Sequence, residues 1–135
     1  MVVRVEINDI VFEESNETFG INGVKFIFDS PDDTKEKNFG ATVGLVLSGE
    51  INEKNKNNTL ELGKWALCEK GEDIYRKVKV QVIDNEDNIL REYKFSAMFV
   101  VDYREELKEV DRKFVSNFEI VLRQKEKETD IEIQA

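Results

Sequence analysis

Apolar and polar residues alternate along most of this chain, in short runs of five to seven residues. A period of two predicts β-strands with one face in the core and the other in solvent. Because the runs are short and turn signals separate them, they indicate several antiparallel strands. The runs lie at residues 3–7, 24–28, 43–47, 78–82 and 117–123, and residues 131–133 repeat the pattern weakly, as an edge strand does.

Turn signals divide these runs. The alternation slips at Asn8-Asp9, which predicts a turn or bulge between two β segments. Asn22-Gly23 predicts a turn before the run at 24–28, and Pro31, which lacks a backbone donor, ends that strand near Ser30. The polar segment DNEDN at 84–88 predicts a hairpin turn between two strands.

One segment, NTLELGKWALCEKG at 58–71, predicts a helix. Asn58 or Thr59 is a candidate cap, and Gly71 is placed to end the helix. Its apolar residues are Leu60, Trp65, Leu67 and Cys68. A helix this short is stabilised by packing, so we expect Trp65 to anchor it against a sheet, with ligand binding as the alternative role.

Residues 30–42, SPDDTKEKNFGAT, predict a long exposed loop, because Phe39 is their only large apolar side chain. The loop is either a surface connection or a docking arm that inserts Phe39 into a partner. In the strand that follows, Gly44 and Gly49 suit a bulge or the close approach of another backbone.

The least polar stretch is KFSAMFVVDYREEL at 94–107. A strict period of two predicts a core face of Phe95, Ala97, Phe99, Val101 and Tyr103, opposite a face of Ser96, Met98, Val100 and Asp102. The face with Met98 and Val100 is too apolar for water, so we expect the helix or another subunit to cover it. The strand is expected to leave that cover at Asp102-Tyr103.

These elements predict a single domain over residues 1–135, mainly β with one short α-helix. The expected architecture is a small β-barrel of two packed antiparallel sheets, flanked by the helix. Apolar residues make up 40% of the chain and include nine Phe, which suffices for a packed core although 36% of residues are charged.

Composition excludes several classes of function. The net charge of −9 argues against nucleic-acid binding, which needs clustered Lys and Arg. The apolar stretch 97–101 is too short to insert in a membrane as a helix, and the N-terminus lacks the apolar block of a secretory signal, so we expect synthesis in the cytoplasm. With one cysteine and no histidine, the chain lacks the usual zinc ligands and the common hydrolase triads, and no cofactor is expected.

The remaining candidates for chemistry are weak. Asp84–Asn88 concentrates oxygen ligands but lacks the glycine and distal glutamate of a calcium loop, so a turn is favoured over a metal site. Asp32-Asp33 and Glu105-Glu106 are adjacent pairs whose side chains point apart in extended backbone. Cys68 is expected to be a small buried apolar residue.

The order of motifs in the second half of the chain resembles the Hcp family, the tube proteins of type VI secretion systems. The resemblance rests on the helix LELGKWA, the strand GEDIYRKVKVQVIDNEDNIL, the run REYKFSAMFVVDYREEL and the strand FVSNFEIVLRQKE, within residues 24–126. The related tail-tube proteins of contractile phages, bacteriocins and phage-like injection particles share the fold of this family and are the alternative resemblance.

The resemblance implies a non-enzymatic subunit that forms hexameric rings stacked into a hollow tube, propelled by a contracting sheath. It implies contacts with sheath, baseplate and spike proteins, a lumen for effector cargo, and assembly into an injection particle or export as a tube. The loop would reach the next ring. The expected subunit interface comprises Asp32, Asp33, Lys35, Lys37, Phe39, Met98 and Val100.

Two other functions remain open from the residues alone. A monomeric β-barrel or sandwich could bind a small ligand or carbohydrate through Trp65, Tyr75 or Tyr103. A carboxylate-dependent enzyme would depend on Asp102 or Glu105.

Overall fold

The computed structural model describes residues 2–13, 20–29, 42–68, 71, 74–125 and 131–134. These ranges contain eight strands, and six of them include the alternating runs. One helix occurs in these ranges, so the prediction of a mainly β chain with a single short helix is confirmed. The elements are β1 Val2–Ile7, β2 Ile10–Glu13, β3 Ile21–Asp29, β4 Thr42–Glu50, α1 Lys56–Ala66, β5 Arg76–Ile83, β6 Ile89–Val110, β7 Lys113–Gln124 and β8 Ile131–Gln134.

The strands form one antiparallel sheet in the order β2-β1-β5-β6-β7-β4-β3. The 22-residue strand β6 joins its two halves, because β5 pairs with residues 89–98 and β7 pairs with residues 98–110 on the opposite edge. Strand β8 pairs with residues 92–95 and so follows β7 along that edge. The two predicted sheets are thus the halves of one continuous sheet.

The sheet curves back on itself around one apolar core. Phe26 of β3, at one end of the strand order, stacks on Tyr93 of β6 with ring centroids 3.9 Å apart. At the other end of the strand order, the ring centroids of Phe12 in β2 and Phe118 in β7 are 6.3 Å apart. These contacts bring the two halves of the sheet together, as expected for a small β-barrel flanked by a helix.

Two predicted turns are confirmed and one is wrong. Asn8, with φ of 51°, connects β1 to β2, and residues 84–88 connect β5 to β6. In that second turn the Asp84 carboxylate accepts backbone N–H bonds from Asn88 and Glu86, which lower its pKa. Asn22-Gly23, in contrast, lies inside β3, where a register shift between Ile21 and Gly23 indicates a β-bulge.

The helix begins two residues earlier than predicted, at Lys56, and ends at Ala66, well before Gly71. The two candidate caps have other roles. The Asn58 amide donates to the Val11 carbonyl at 2.9 Å, which ties the helix to β2, and the Thr59 hydroxyl donates back to the Asn55 carbonyl at 3.0 Å. Neither side chain therefore caps the helix, because Asn58 bonds to the sheet and Thr59 bonds to the preceding turn.

The buried face of the helix also differs from the prediction. Leu62 and Trp65 are buried, whereas Leu60 is 54% exposed and Leu67 is 82% exposed. Cys68 is half-buried. Of the four apolar residues named for this segment, Leu60 and Leu67 are therefore exposed, and Leu67 follows the last residue of the helix.

A hydrogen-bonded asparagine pair positions the start of the helix. Asn55 is fully buried, and its amide donates to the Glu50 carbonyl at 2.8 Å while its side-chain oxygen accepts from the Asn52 N–H at 2.9 Å. A buried side-chain amide is stable only when hydrogen-bonded, so these contacts fix the chain between β4 and α1. The polar segment 51–58 is therefore held in place by hydrogen bonds, and its last three residues belong to the helix.

Next to this asparagine pair, the backbone at Gly20 approaches the backbone at Gly49 closely. The Glu50 N–H donates to the Gly20 carbonyl at 2.7 Å, and a Cβ added at Gly49 would lie 2.2 Å from that same oxygen. Gly20 itself has φ of +80°, which L side chains rarely adopt. The prediction that Gly49 permits close approach of another backbone is confirmed.

Strand β6 does not keep a strict period of two, so the predicted division of its faces is wrong. Between Phe95 and Met98 it carries one more residue than β5 does, and a second extra residue, Val101, lies opposite β7. Each bulge reverses the phase of the side chains that follow. The residues facing the core are consequently Phe95, Met98, Val100 and Tyr103.

The strand leaves its cover at Asp102-Tyr103, as predicted, since residues 104–110 are exposed, but the chain remains a strand beyond that point. Residues 102–110 pair with β7 up to Val110 opposite Lys113, across a two-residue turn at Asp111 and Arg112. Both turn residues have positive φ, 50° and 66°, as a type I′ hairpin turn requires. The acidic segment REEL is therefore one strand of a long hairpin.

Candidate assembly surfaces

The predicted interface residues of the 30–42 loop, Asp32, Asp33, Lys35, Lys37 and Phe39, lie outside the described residues. The same holds for Asp32-Asp33 as a carboxylate pair. Of the predicted interface, the structure describes Met98 and Val100.

Met98 is 0% exposed within the single chain and belongs to its core cluster. Its side chain therefore offers no surface to a neighbouring subunit, which corrects the assignment of Met98 to an interface. The physical reason is the bulge at Ser96-Ala97, which turns Met98 to the same side as Phe95. Val100 is half-buried and reaches a surface groove described below.

Trp65, the predicted helix anchor, lies between α1 and the sheet with 2% of its surface exposed. Its indole N–H donates to the Ile74 carbonyl at 2.8 Å, and the guanidinium of Arg76 lies 5.0 Å from the ring centroid. The indole is thus enclosed on its polar edge and on one face. It presents no open face on which a carbohydrate could stack.

Tyr75 and Tyr103, the other candidate ligand residues, already have partners. Tyr75 meets Phe99 edge to face at 6.0 Å, and the Lys125 ammonium lies 4.7 Å from its ring centroid. The Tyr103 hydroxyl donates to the Glu105 carboxylate at 2.6 Å. Burial, together with that hydrogen bond, raises the pKa of Tyr103, so the phenol stays protonated at neutral pH.

An open groove of about 620 Å³ runs between the outer side of α1 and strand β6. We call it the helix groove and define it by its apolar residues Leu60, Leu67, Val100 and Val101. Val101 is 46% exposed, since the second bulge in β6 turns it away from the core. Lys64, Asp102 and Glu105 supply the charges of the lining.

A second apolar surface lies near the end of the β6–β7 hairpin. Leu107 is 67% exposed and Phe114 is 68% exposed. Phe114 pairs with Glu109, two residues from Leu107, so the two side chains lie diagonally on one face of the hairpin. We call this pair the hairpin tip. The sequence prediction missed it, because it ended the strand at Tyr103.

The bulge that redirects Met98 depends on a buried glutamine that the sequence prediction also missed. Gln124 is 5% exposed; its side-chain oxygen accepts from the Ala97 N–H at 3.2 Å, and its amide donates to the Ser96 hydroxyl at 2.9 Å. It therefore satisfies the backbone group that the bulge releases from the ladder. The available signal was a polar residue in the core phase of Phe118, Ile120 and Leu122.

The acidic residues considered as candidates for chemistry are not brought together in the described part of the chain. No group of three or more metal-binding side chains occurs among the residues it describes. Glu105 and Glu106 pair with Phe118 and Asn117 as consecutive strand residues, so their carboxylates point to opposite faces. No helix within the described ranges is long and apolar enough to cross a membrane.

Comparison by sequence finds no matching family model and no matching curated protein. Comparison of the fold finds solved structures that match almost the whole chain. One chain of the PVC sheath-tube complex, an extracellular contractile injection system in its extended state, has a TM-score of 0.58 at 12% identity; the match covers 98% of this chain and 88% of that one.

Two Hcp1 structures match in the same way. Hcp1 from Flavobacterium johnsoniae has a TM-score of 0.54 at 13% identity and covers 93% of this chain and 98% of its own. Hcp1 from E. coli EAEC 042 has a TM-score of 0.57 at 10% identity, with 100% and 99% covered. The similarity therefore extends over nearly the whole length of this chain and of each Hcp1 chain. This chain has the Hcp-like tube fold found in type VI secretion and contractile injection systems.

Proposed function

We propose that the protein is an inner-tube subunit of a contractile injection or secretion apparatus. It acts as a non-enzymatic structural protein that forms hexameric rings, which stack into a tube with a lumen. The observation that carries this proposal is the fold match, over 98% and 100% of this chain, to a chain of a contractile injection system and to Hcp1. The near-complete enclosure of Trp65 argues against the rival carbohydrate-binding module.

The strand order suits assembly into a ring. Strands β2 and β3 are the two ends of the sheet, and within the described residues the nine-residue β3 has β4 as its only partner. Unpaired strand edges expose backbone donors and acceptors that readily pair with another chain. In a ring, edge pairing between neighbours would continue the sheet around a closed wall.

The remaining partners follow from this role. We propose contacts with sheath, baseplate and spike proteins, and effector cargo in the lumen. Six copies repeat the net charge of −9 around the ring, and an acidic wall would limit adhesion of passing acidic proteins. The loop residues Asp32, Asp33, Lys35, Lys37 and Phe39, together with Val100, remain proposed interface residues. The tube is assembled in an injection particle or exported.

Sedimentation of the purified protein tests ring formation. We expect a species of six 15.7-kDa chains, about 94 kDa, that grows with concentration at the expense of the monomer. A single 15.7-kDa species over the whole concentration range would contradict ring formation as a property of this chain alone. If the protein is purified with an affinity tag, the tag is removed before the measurement, because a charged extension at a strand edge can block pairing between subunits.

A further inference from the structure

We propose that strand β8 of one copy pairs with β6 of a neighbouring copy, so that adjacent subunits exchange their last strand. This inference rests on the proposed function, because it assigns one of the contacts between subunits of a ring. The starting observation is that β8, Ile131–Gln134, is a four-residue strand at the edge of the sheet. Within the described residues it pairs with β6 alone, opposite residues 92–95.

Little of β8 is buried against its own chain. Glu132 and Gln134 are exposed, and 48% of the surface of Ile133 is exposed. Across the ladder, the Glu132 carboxylate lies 4.0 Å from the Lys94 ammonium, which has a closer partner in Glu92 at 3.2 Å. Elements with few buried contacts open locally at low free energy, so β8 can detach from β6 while the rest of the sheet stays folded.

The connection from β7 to β8 is longer than pairing within one chain requires. Both strands run in the same direction along one edge of β6: the Lys125 N–H donates to the Ala97 carbonyl at 2.8 Å, and Ile131 lies opposite Phe95. Ala97 and Phe95 are about 7 Å apart along the strand, a distance that one residue between Lys125 and Ile131 would span.

Five residues, 126–130, make that connection. Its six steps from Lys125 to Ile131 reach about 20 Å when extended. The connection therefore allows β8 to reach an edge well beyond its own.

A second copy is the partner that this edge fits, because it carries the same strand. Exchange places Glu132 of one copy opposite Lys94 of the next, and Ile133 opposite Tyr93, in the register that a single chain already forms. The exchange of an identical element requires no new complementary surface. A foreign strand would have to match this register and supply its own carboxylate opposite Lys94.

A ring is the arrangement in which exchange competes with pairing inside one chain. In an isolated copy, the tether gives β8 an effective concentration at its own edge on the order of millimolar. In a ring the neighbour's edge is held at a fixed distance, so both edges are local to β8. Because each copy donates one strand and accepts one, the exchange continues around a closed ring.

Disulfide trapping across the β6–β8 ladder tests the exchange in the full chain. The test variant combines Lys94→Cys with Glu132→Cys, two exposed residues opposite each other, and Cys68→Ser removes the native thiol. Opposite residues of an antiparallel pair have Cα atoms about 4.5–5.5 Å apart, which suits a disulfide. Pairing within one chain gives a disulfide inside that chain, whereas exchange joins two chains.

We expect the assembled and oxidised variant to give covalent dimers and higher oligomers, up to hexamers, on a non-reducing denaturing gel. These products should exceed the monomer with an intrachain disulfide several-fold. Monomer that carries the intrachain disulfide, or a variant that keeps both thiols reduced, would overturn the inference.

The single variants Lys94→Cys and Glu132→Cys, each with Cys68→Ser, are the matched controls. They report disulfides that form by random collision, and we expect each to give several-fold less interchain product than the double variant. An equal yield from either one would also overturn the exchange.

Shortening the connection provides a second test. Deletion of residues 127–130 from the double variant leaves only Glu126 between Lys125 and Ile131, which suffices to continue β7 into β8 along its own β6. We expect the interchain products to disappear and the intrachain disulfide to replace them. Undiminished interchain products would contradict the exchange, because the shortened connection could no longer reach a neighbour.

The failure of this inference is distinguishable from the failure of the proposed function. Rings or tubes that contain only intrachain disulfides would retain the tube proposal and keep β8 in its own chain. Interchain disulfides confined to closed dimers would retain the exchange and contradict the tube.

Discussion

Replacing Trp65 by alanine is expected to lower the free energy of unfolding by about 3–5 kcal/mol, the range for truncating a buried large aromatic residue. The indole has 2% of its surface exposed, so its removal leaves a cavity between α1 and the sheet. The substitution also leaves the Ile74 carbonyl without its donor. Urea denaturation followed by circular dichroism measures the loss.

Leu67→Ala is the matched control for Trp65→Ala. Leu67 follows the same helix but is 82% exposed, so we expect a change within about 0.5 kcal/mol. Trp65→Phe separates the two contributions, because it keeps much of the apolar volume and removes the N–H. If Trp65→Ala cost no more than Leu67→Ala, the role of Trp65 as the anchor of the helix would be wrong.

Gly20→Ala is expected to destabilise the fold by about 3 kcal/mol, combining about 1–2 kcal/mol for a left-handed backbone with about 1–3 kcal/mol for overpacking. Gly20 has φ of +80°, and an added Cβ would lie 2.2 Å from the Glu50 carbonyl oxygen. Because that neighbour is backbone, rotamer changes cannot relieve the contact. The crossing of β3 with the end of β4 would have to open.

Gly71→Ala isolates the conformational part of this effect. Gly71 has φ of +96°, and no atom of the residues that the structure describes lies within 4 Å of an added Cβ, so we expect only the left-handed backbone to be penalised. We expect a loss of about 1–2 kcal/mol, smaller than at Gly20. Equal losses at the two positions, measured by the same urea titrations, would show that crowding at the Gly20-Glu50 contact contributes nothing.

The sequence predicted those elements whose pattern is set by local physics. The period of two in residues 3–7 and 78–82 identified β1 and β5, since a strand with one wet face fixes its own alternation. The turns at Asn8 and Asp84–Asn88 were equally local. The class of fold, mainly β with one helix, followed from these elements together with the family resemblance.

The faces of β6 could not be predicted because bulges depend on the strands opposite. The extra residue between Phe95 and Met98 is stabilised by Gln124, 27 positions from Ala97 in sequence. Strict alternation does not account for a hydrogen-bond partner distant in sequence. It therefore placed Met98 on the face opposite Phe95 and led to its assignment to an interface. Gln124 follows Phe118, Ile120 and Leu122 in the core phase of β7, and this buried polar residue could have indicated the bulge.

The sequence did not predict the β6–β7 hairpin, for a related reason. Its turn, Asp111-Arg112, lacks the glycine or asparagine that usually marks two residues of positive φ. Charged residues at 104–109 resembled a loop, although β7 pairs with every one of them. The hairpin is formed by pairing with distant residues, which composition does not indicate, and two of the large exposed apolar residues within the described ranges, Leu107 and Phe114, lie on it.

The helix start shows the same limit at smaller scale. Asn58 and Thr59 match capping preferences, yet the buried contacts of Asn55 with Glu50 and Asn52 begin the helix earlier. Capping preference alone does not distinguish Asn55 from Asn58. The burial and hydrogen bonds of Asn55 do, and the helix begins directly after it.

Electron microscopy of the concentrated, tag-free protein tests the tube proposal most directly. The proposal predicts hollow particles whose end views show six subunits around a central channel, and whose side views show rings stacked at a constant repeat. Particles the size of a single 15.7-kDa chain at every concentration, or oligomers without a central channel, would contradict it.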